Sequence, residues 1–208
     1  MFTTFMGLTS SIKTRLRQHH DLYPSIPVKA EYWESALVGA IKDQQPKLKP
    51  TWTCGSQQIG RDVTLSNGVE VSCKSGQVHG GKTIKISSSS LSRFGDDTAM
   101  MREYLRTTKT DDFILCLSTF KSPSKAFDGR YLYSIFDSRV VNYDDMEWEV
   151  FGKDNNVRGT NADGISLTIT KAMGWQVWYY LPTKLALASE PIKINVVEGP
   201  GAEFFSFP

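Results

Sequence analysis

The segment 60–76 constrains the fold more than any other stretch of this chain. Ser66-Asn67-Gly68 is a turn signal between two alternating runs, and a short loop ending in Gly is a common hairpin connection. With that loop Leu65 faces Val69, Val63 faces Val71, and Asp62 faces Ser72. Side chains alternate along a strand and match across a pair, so the residues sort onto two faces. Val63, Leu65, Val69, Val71 and Cys73 fall on one, and Asp62, Thr64, Glu70, Ser72 and Lys74 on the other. An apolar sheet face therefore backs a cluster of two carboxylates, hydroxyls and an ammonium.

The atoms of that cluster limit its chemistry. Two carboxylates a few ångströms apart repel unless a cation lies between them. Hard oxygen ligands select Mg²⁺, which is usually completed by waters and a substrate phosphate. Lys74 adds a positive charge that can orient a metal-bound water or neutralise charge building on phosphorus. The same residues are also what a solvated hairpin face with a cross-strand ion pair would show.

The pattern resembles the PD-(D/E)xK nuclease superfamily, which includes most type II restriction endonucleases. Its core has an Asp on one hairpin strand and an acid-x-Lys on the next, preceded by a helix that often supplies another acid. By position, Asp62 matches the first acid and Lys74 the motif lysine. Ser72 stands where the second acid is expected, a departure shared with Ser-x-Lys variants that recruit a carboxylate from elsewhere. Glu70 on the same face is the local candidate for that carboxylate and is favoured narrowly over Glu34 in the preceding helix. Glu31 lies one turn away from Glu34. Arg61, in place of the motif proline, is a second departure. The match covers about 27–120.

The resemblance implies an α/β, restriction-endonuclease-like mixed central sheet flanked by helices. The implied catalytic residues are Asp62, Glu70, Ser72 and Lys74, with Asp62 and Glu70 or Glu34 holding Mg²⁺. It further implies cleavage of double-stranded DNA by a homodimer, since two symmetry-related centres suit a palindromic site. Two other classes stay open: a repair, nicking or junction-resolving nuclease of the same superfamily, and a non-enzymatic DNA-binding β-rich module.

Composition sets the outer bounds. At 208 residues the chain is long enough for one well-cored domain, with a catalytic core over about 27–120 and a β-rich extension over about 121–208 for DNA recognition or dimerisation. A net charge of +2 means that any nucleic-acid contact must come from local clustering and not from a global field. Cys54, Cys73 and Cys116 lie in or beside predicted strands without zinc spacing, and read as buried reduced thiols of a cytoplasmic protein. The apolar start lacks a basic leader, and no run reaches the ~18 residues a membrane span needs.

Helical spacing appears over 9–20 and from Pro27 to about 44, where Trp33, Leu37, Ala40 and Ile41 form an apolar stripe. A third helix, capped by Asp96, Asp97 or Thr98 and running to about 107, turns Met100, Met101, Tyr104 and Leu105 inward. Strands are predicted over 52–56, 83–87, 131–136, 147–151, 165–170, 176–181 and 192–197. The run 112–118 is almost continuously apolar, as a strand buried on both faces would be.

Several groups outside the hairpin suit DNA. Lys82, Lys85 and Arg93 flank the hydroxyl run of Ser88, Ser89 and Ser90, a combination fit for phosphates and base edges. Gln77 and His79 share the parity of Cys73 and would point away from Lys74, although Gly76, Gly80 and Gly81 argue against a regular continuation. Asn155, Asn156 and Arg158 have base-reading side chains in a segment, 152–161, that also reads as an ordinary turn. Trp175, Trp178, Tyr179 and Tyr180 suit sheet packing better than a stacking platform.

Overall fold

The structure is a computed structural model and describes residues 3–52, 62–108, 111–120 and 127–195. Among these residues there are five helices, α1 (Thr3–Met6), α2 (Thr9–Leu22), α3 (Ala30–Gln44), α4 (Thr98–Thr107) and α5 (Ala172–Trp175). The ten strands are β1 (Val63–Thr64), β2 (Glu70–His79), β3 (Thr83–Ser90), β4 (Phe113–Phe120), β5 (Arg130–Asp137), β6 (Glu147–Phe151), β7 (Asn156–Thr160), β8 (Ser166–Thr170), β9 (Gln176–Pro182) and β10 (Ala188–Lys193).

All ten strands belong to one sheet, ordered β10-β5-β4-β2-β3-β9-β8-β7-β6, with β1 paired to β2. The only parallel pair among them is β2 with β4; every other ladder is antiparallel. The protein is therefore α/β, with a mixed but mostly antiparallel sheet. The strands after residue 121 divide between two flanks: β5 and β10 extend the sheet beyond β4, and β6 to β9 extend it beyond β3.

Alternation fixes which side each helix covers. Odd-numbered positions of β2, β4 and β5 (Val71, Cys73, Leu115, Leu117, Tyr131, Tyr133) pack with Phe5, Leu16, Trp33, Leu37 and Ile41 of the N-terminal helices. Trp33 sits at 0 % exposure and donates its indole N–H to the Leu115 carbonyl at 3.2 Å. Even positions (Val78, Ile84, Ile86, Cys116, Phe136) pack on the opposite side with Met101 and Leu105 of α4 and with inward residues of β8 and β9. The predicted buried run thus lies in β4, between two apolar layers, and next to its parallel neighbour.

The hairpin register is the one the sequence predicts, Val63↔Val71 and Thr64↔Glu70. Val63, Leu65, Val69, Val71 and Cys73 all enter the core. Burying each large apolar side chain contributes roughly 1.5–3 kcal/mol, and a one-residue slip would turn them all to the polar side, so this register is strongly held.

Other expectations need correction. Strand β2 runs unbroken through Gly76 to His79, because the β4 ladder supports it along its length. Gly80 and Gly81 take positive φ of 56° and 69° in the turn that follows. Met100 is 55 % exposed, unlike Met101, since Asp97 starts the helix and sets its phase. The turn-like segment 152–161 contains a strand, β7, directly after the turn. The last strand among the described residues is β10, Ala188–Lys193, which starts earlier than predicted: Ile192 and Ile194 reach the core against β5. Residues 53–56 and 196–197 of the predicted strands, and with them Cys54, lie outside the described residues, as does Arg61. Cys73 and Cys116 are buried free thiols.

Candidate active site

A fork in the sheet creates the site. On one side of β2, strand β1 ends its pairing at Val63↔Val71, and β3 joins only at Gly76↔Ile86. Between these points the described strands leave that edge of β2 unpaired, although such backbone groups need partners. Asp62, just before β1, fills the gap. Its Oδ2 accepts from Cys73 N–H at 2.6 Å, from Lys74 Nζ at 2.9 Å and from Ser72 Oγ at 3.3 Å. Gly76 lets the fork close: a Cβ there would lie 2.7 Å from the Lys85 carbonyl oxygen and 2.9 Å from Ser118 Oγ.

The ion pair of Asp62 and Lys74 is largely withdrawn from solvent, with side chains 17 % and 24 % exposed. Burial works against the Lys74 charge. The Asp62 carboxylate, by its charge and its direct hydrogen bond, more than offsets this and holds the ammonium above the ordinary lysine range.

Further carboxylates converge on the pair. Asp111, which the sequence reading did not single out, is 8 % exposed and lies beside Ser72. Burial first, and then the negative charge of Asp62, push its carboxyl up to about 7, against the pull of Lys74. Ser138 Oγ donates to the Asp111 carbonyl, while the neighbouring Asp112 accepts from Glu70 N–H at 2.9 Å, so the head of β4 is fixed against the start of β2. Glu34, on α3, accepts from Trp52 Nε1 at 2.8 Å. Burial raises its pKa; the Trp52 bond opposes this and the charge of Asp62 adds to it. Glu70 is close enough to Asp111 to raise its pKa too. Asp62 thus holds one ammonium directly, with Asp111 and Glu34 within electrostatic reach of that pair and Glu70 within reach of Asp111, which adjoins Ser72 where an acid was expected.

Tyr179 approaches from β9. Burial raises its pKa, while hydrogen bonds to Tyr143 and Ser88 and the charge of Lys74 lower it. Its hydroxyl lies 2.7 Å from that of Tyr143. Ser88 therefore does face the Lys74 side of the sheet.

The remaining sequence-named residues scatter. Ser90 Oγ donates to the Gly174 carbonyl at 2.7 Å and accepts from Ser92 N–H, a local bracing role. Ser89 belongs to β3, with its side chain outside the described set. Arg93 is exposed and lies 4.1 Å from the Tyr104 ring, and Lys82 is exposed in the β2–β3 turn. Asn155 takes φ 53° in a turn, and Asn156 Oδ1 accepts from Lys171 N–H. Arg158 pairs with Glu149 at 3.2 Å. Gln77, His79 and Lys85 come together on the other side of the sheet from Lys74, through the registers Gln77↔Lys85 and His79↔Thr83.

Among the described residues, no three His, Cys, Asp or Glu side chains form a ready-made metal cluster. The donor chemistry still suits a hard cation: Mg²⁺ usually needs only one or two protein carboxylates beside water and substrate oxygen. Asp62 and Asp111 supply that number, and a carboxyl pushed up to about 7 by burial and a neighbouring carboxylate lacks the positive charge that a divalent ion brings. Comparison with protein-family models, with curated proteins and with solved structures finds no match for this chain. No helix among the described residues is long and apolar enough to cross a membrane.

Proposed function

We propose that the protein is a Mg²⁺-dependent endonuclease of double-stranded DNA with a PD-(D/E)xK-like site in a restriction-endonuclease-like fold, acting as a cytoplasmic homodimeric type II restriction enzyme. The reading rests on one observation: the carboxylate of Asp62, anchored by the Cys73 N–H in the fork of the sheet, faces Lys74 at 2.9 Å with Asp111 beside Ser72. In this reading Asp62 and Asp111 would hold Mg²⁺, with Glu34 or Glu70 contributing from either flank. Bound there, the ion would polarise a phosphodiester and favour ionisation of a water. Lys74 orients the attacking water and offsets charge on the phosphoryl oxygens. Ser72 donates its hydroxyl to Asp62 and adjoins Asp111. Trp52 holds the Glu34 carboxylate.

Incubation of the purified protein with phage DNA and Mg²⁺ tests the reading. Discrete fragments support the restriction class. Cleavage confined to branched or nicked substrates points instead to a repair or junction-resolving nuclease, and intact DNA with both Mg²⁺ and Mn²⁺ defeats the enzymatic reading.

A further inference from the structure

Among the described residues, half of the sheet carries a helix layer on only one side. The N-terminal helices pack on the odd positions of β2, β4 and β5, whereas the side chains of β3, β7, β8 and β9 on that same face join neither apolar core. Register identifies them. Gln77 pairs with Lys85, Lys85 with Tyr180, Ser87 with Trp178, Trp178 with Thr168, and Thr168 with Arg158. Directly paired residues share a face. Ser75 and His79 join it by alternation along β2.

The chemistry of this face is one-sided. Across β2, β3, β9 and β8 it presents Ser, Gln, His, Thr, Lys, Trp and Tyr side chains and no acid; the first carboxylate, Glu149, is met beyond Arg158 and is paired with it. Lys85 Nζ lies 4.2 Å from the Trp178 ring centroid and 5.6 Å from that of Tyr180, so two aromatic rings hold the ammonium at the centre of the face. Among the described residues no carboxylate pairs with it. Ser75 Oγ and His79 Nε2 are buried here and, among the described residues, have no hydrogen-bond partner, so they lie beneath the surface and not on it.

We infer that this open face is a docking surface for the phosphate backbone of duplex DNA, with Lys85, held by Trp178 and Tyr180, as its fixed cation and Gln77 and Ser87 as flanking hydrogen-bond groups. A fixed ammonium among neutral donors, without competing acid, matches a regular polyanion. Trp178 already carries the ammonium on its ring, which favours charge contact over base stacking. Ser75 follows Lys74 but points to the opposite side of the sheet, and β2 rises about 3.3 Å per residue, so the surface begins on the reverse side of the fork and extends ~17 Å from it by His79. The inference rests on the nuclease reading and adds a duplex contact on the side of the sheet away from the metal ligands.

The test is binding of a fluorescein-labelled, mixed-sequence 30-base-pair duplex in EDTA across a salt series, with the corresponding single strand as a parallel probe. Lys85→Ala is expected to weaken duplex binding by about tenfold and to reduce the slope of log K against log salt by about one. Lys85→Arg is expected to retain both, and Trp178→Ala to weaken binding with unchanged circular dichroism. Wild-type affinity and salt slope in Lys85→Ala, or no duplex binding by the wild type, overturn the inference. A larger loss for the single strand than for the duplex also overturns it, in favour of a stacking platform. Asp62→Asn separates the two claims: DNA cleaved normally by that variant defeats the nuclease reading and leaves the Lys85 result standing.

Discussion

Asp62 Oδ2 meets Lys74 Nζ at 2.9 Å in the gap where β1 has stopped pairing with β2 and β3 has not yet begun. The carboxylate there serves the fold, by capping the Cys73 N–H, and also favours the charged form of the lysine. Asp62→Asn keeps the shape of the group that meets Cys73 while removing its charge. Mg²⁺-dependent cleavage should fall at least about a hundredfold with duplex binding retained, as should cleavage by Lys74→Met. Gel assays of cleavage beside filter binding check both.

Asp111→Asn should lower activity while raising stability at neutral pH. The folded-state pKa, about 7, lies above the ordinary value of 3.8, so between these values the folded protein holds a proton that the unfolded chain has lost. Stability therefore falls as pH rises through that window and levels off above it. A shift of about three units corresponds to about 4 kcal/mol at most. Thermal melts at pH 4.5 and 8, without divalent metal, should show the variant gaining on the wild type at the higher pH. An equal difference at both values contradicts the assignment.

The order of loss among the acids locates the second ligand. Asp111→Asn should impair cleavage most, Glu34→Gln by about tenfold, and Glu70→Gln least, with the apparent Mg²⁺ requirement rising in the same order. Glu70→Gln proving the most damaging would return the second acid to the hairpin.

Gly76→Ala should open the fork. A new Cβ would meet backbone of β3 at 2.7 Å, which no side-chain rearrangement relieves. Overpacking of this kind costs about 1–3 kcal/mol, read as a lower denaturation midpoint. Cleavage should drop as well, because the approach of β3 defines one wall of the gap.

The hairpin was legible because its information is local: a Gly-containing turn fixes the register, and alternation then places Asp62, Ser72 and Lys74 together. Asp111 was not legible, because only the parallel pairing of β2 with β4 brings it to Ser72, and such a crossover leaves no short-range mark. The one available hint was an acidic pair, Asp111-Asp112, at the head of the most apolar run in the chain. The strand at Asn156–Thr160 was hidden by the composition of the turn before it. The contrast between Trp178, half-buried on an open face, and Tyr179, buried at 9 % exposure, follows from the period of two, but which parity faces the core depends on what packs there.

The central claim is that the fork of β2 hydrolyses DNA through Asp62. The most direct measurement follows cleavage of supercoiled plasmid with Mg²⁺ by wild-type protein and Asp62→Asn, matched for folding by circular dichroism. Linear product from the wild type and none from the variant is the expected result; equal cleavage by both, or by neither, contradicts the claim.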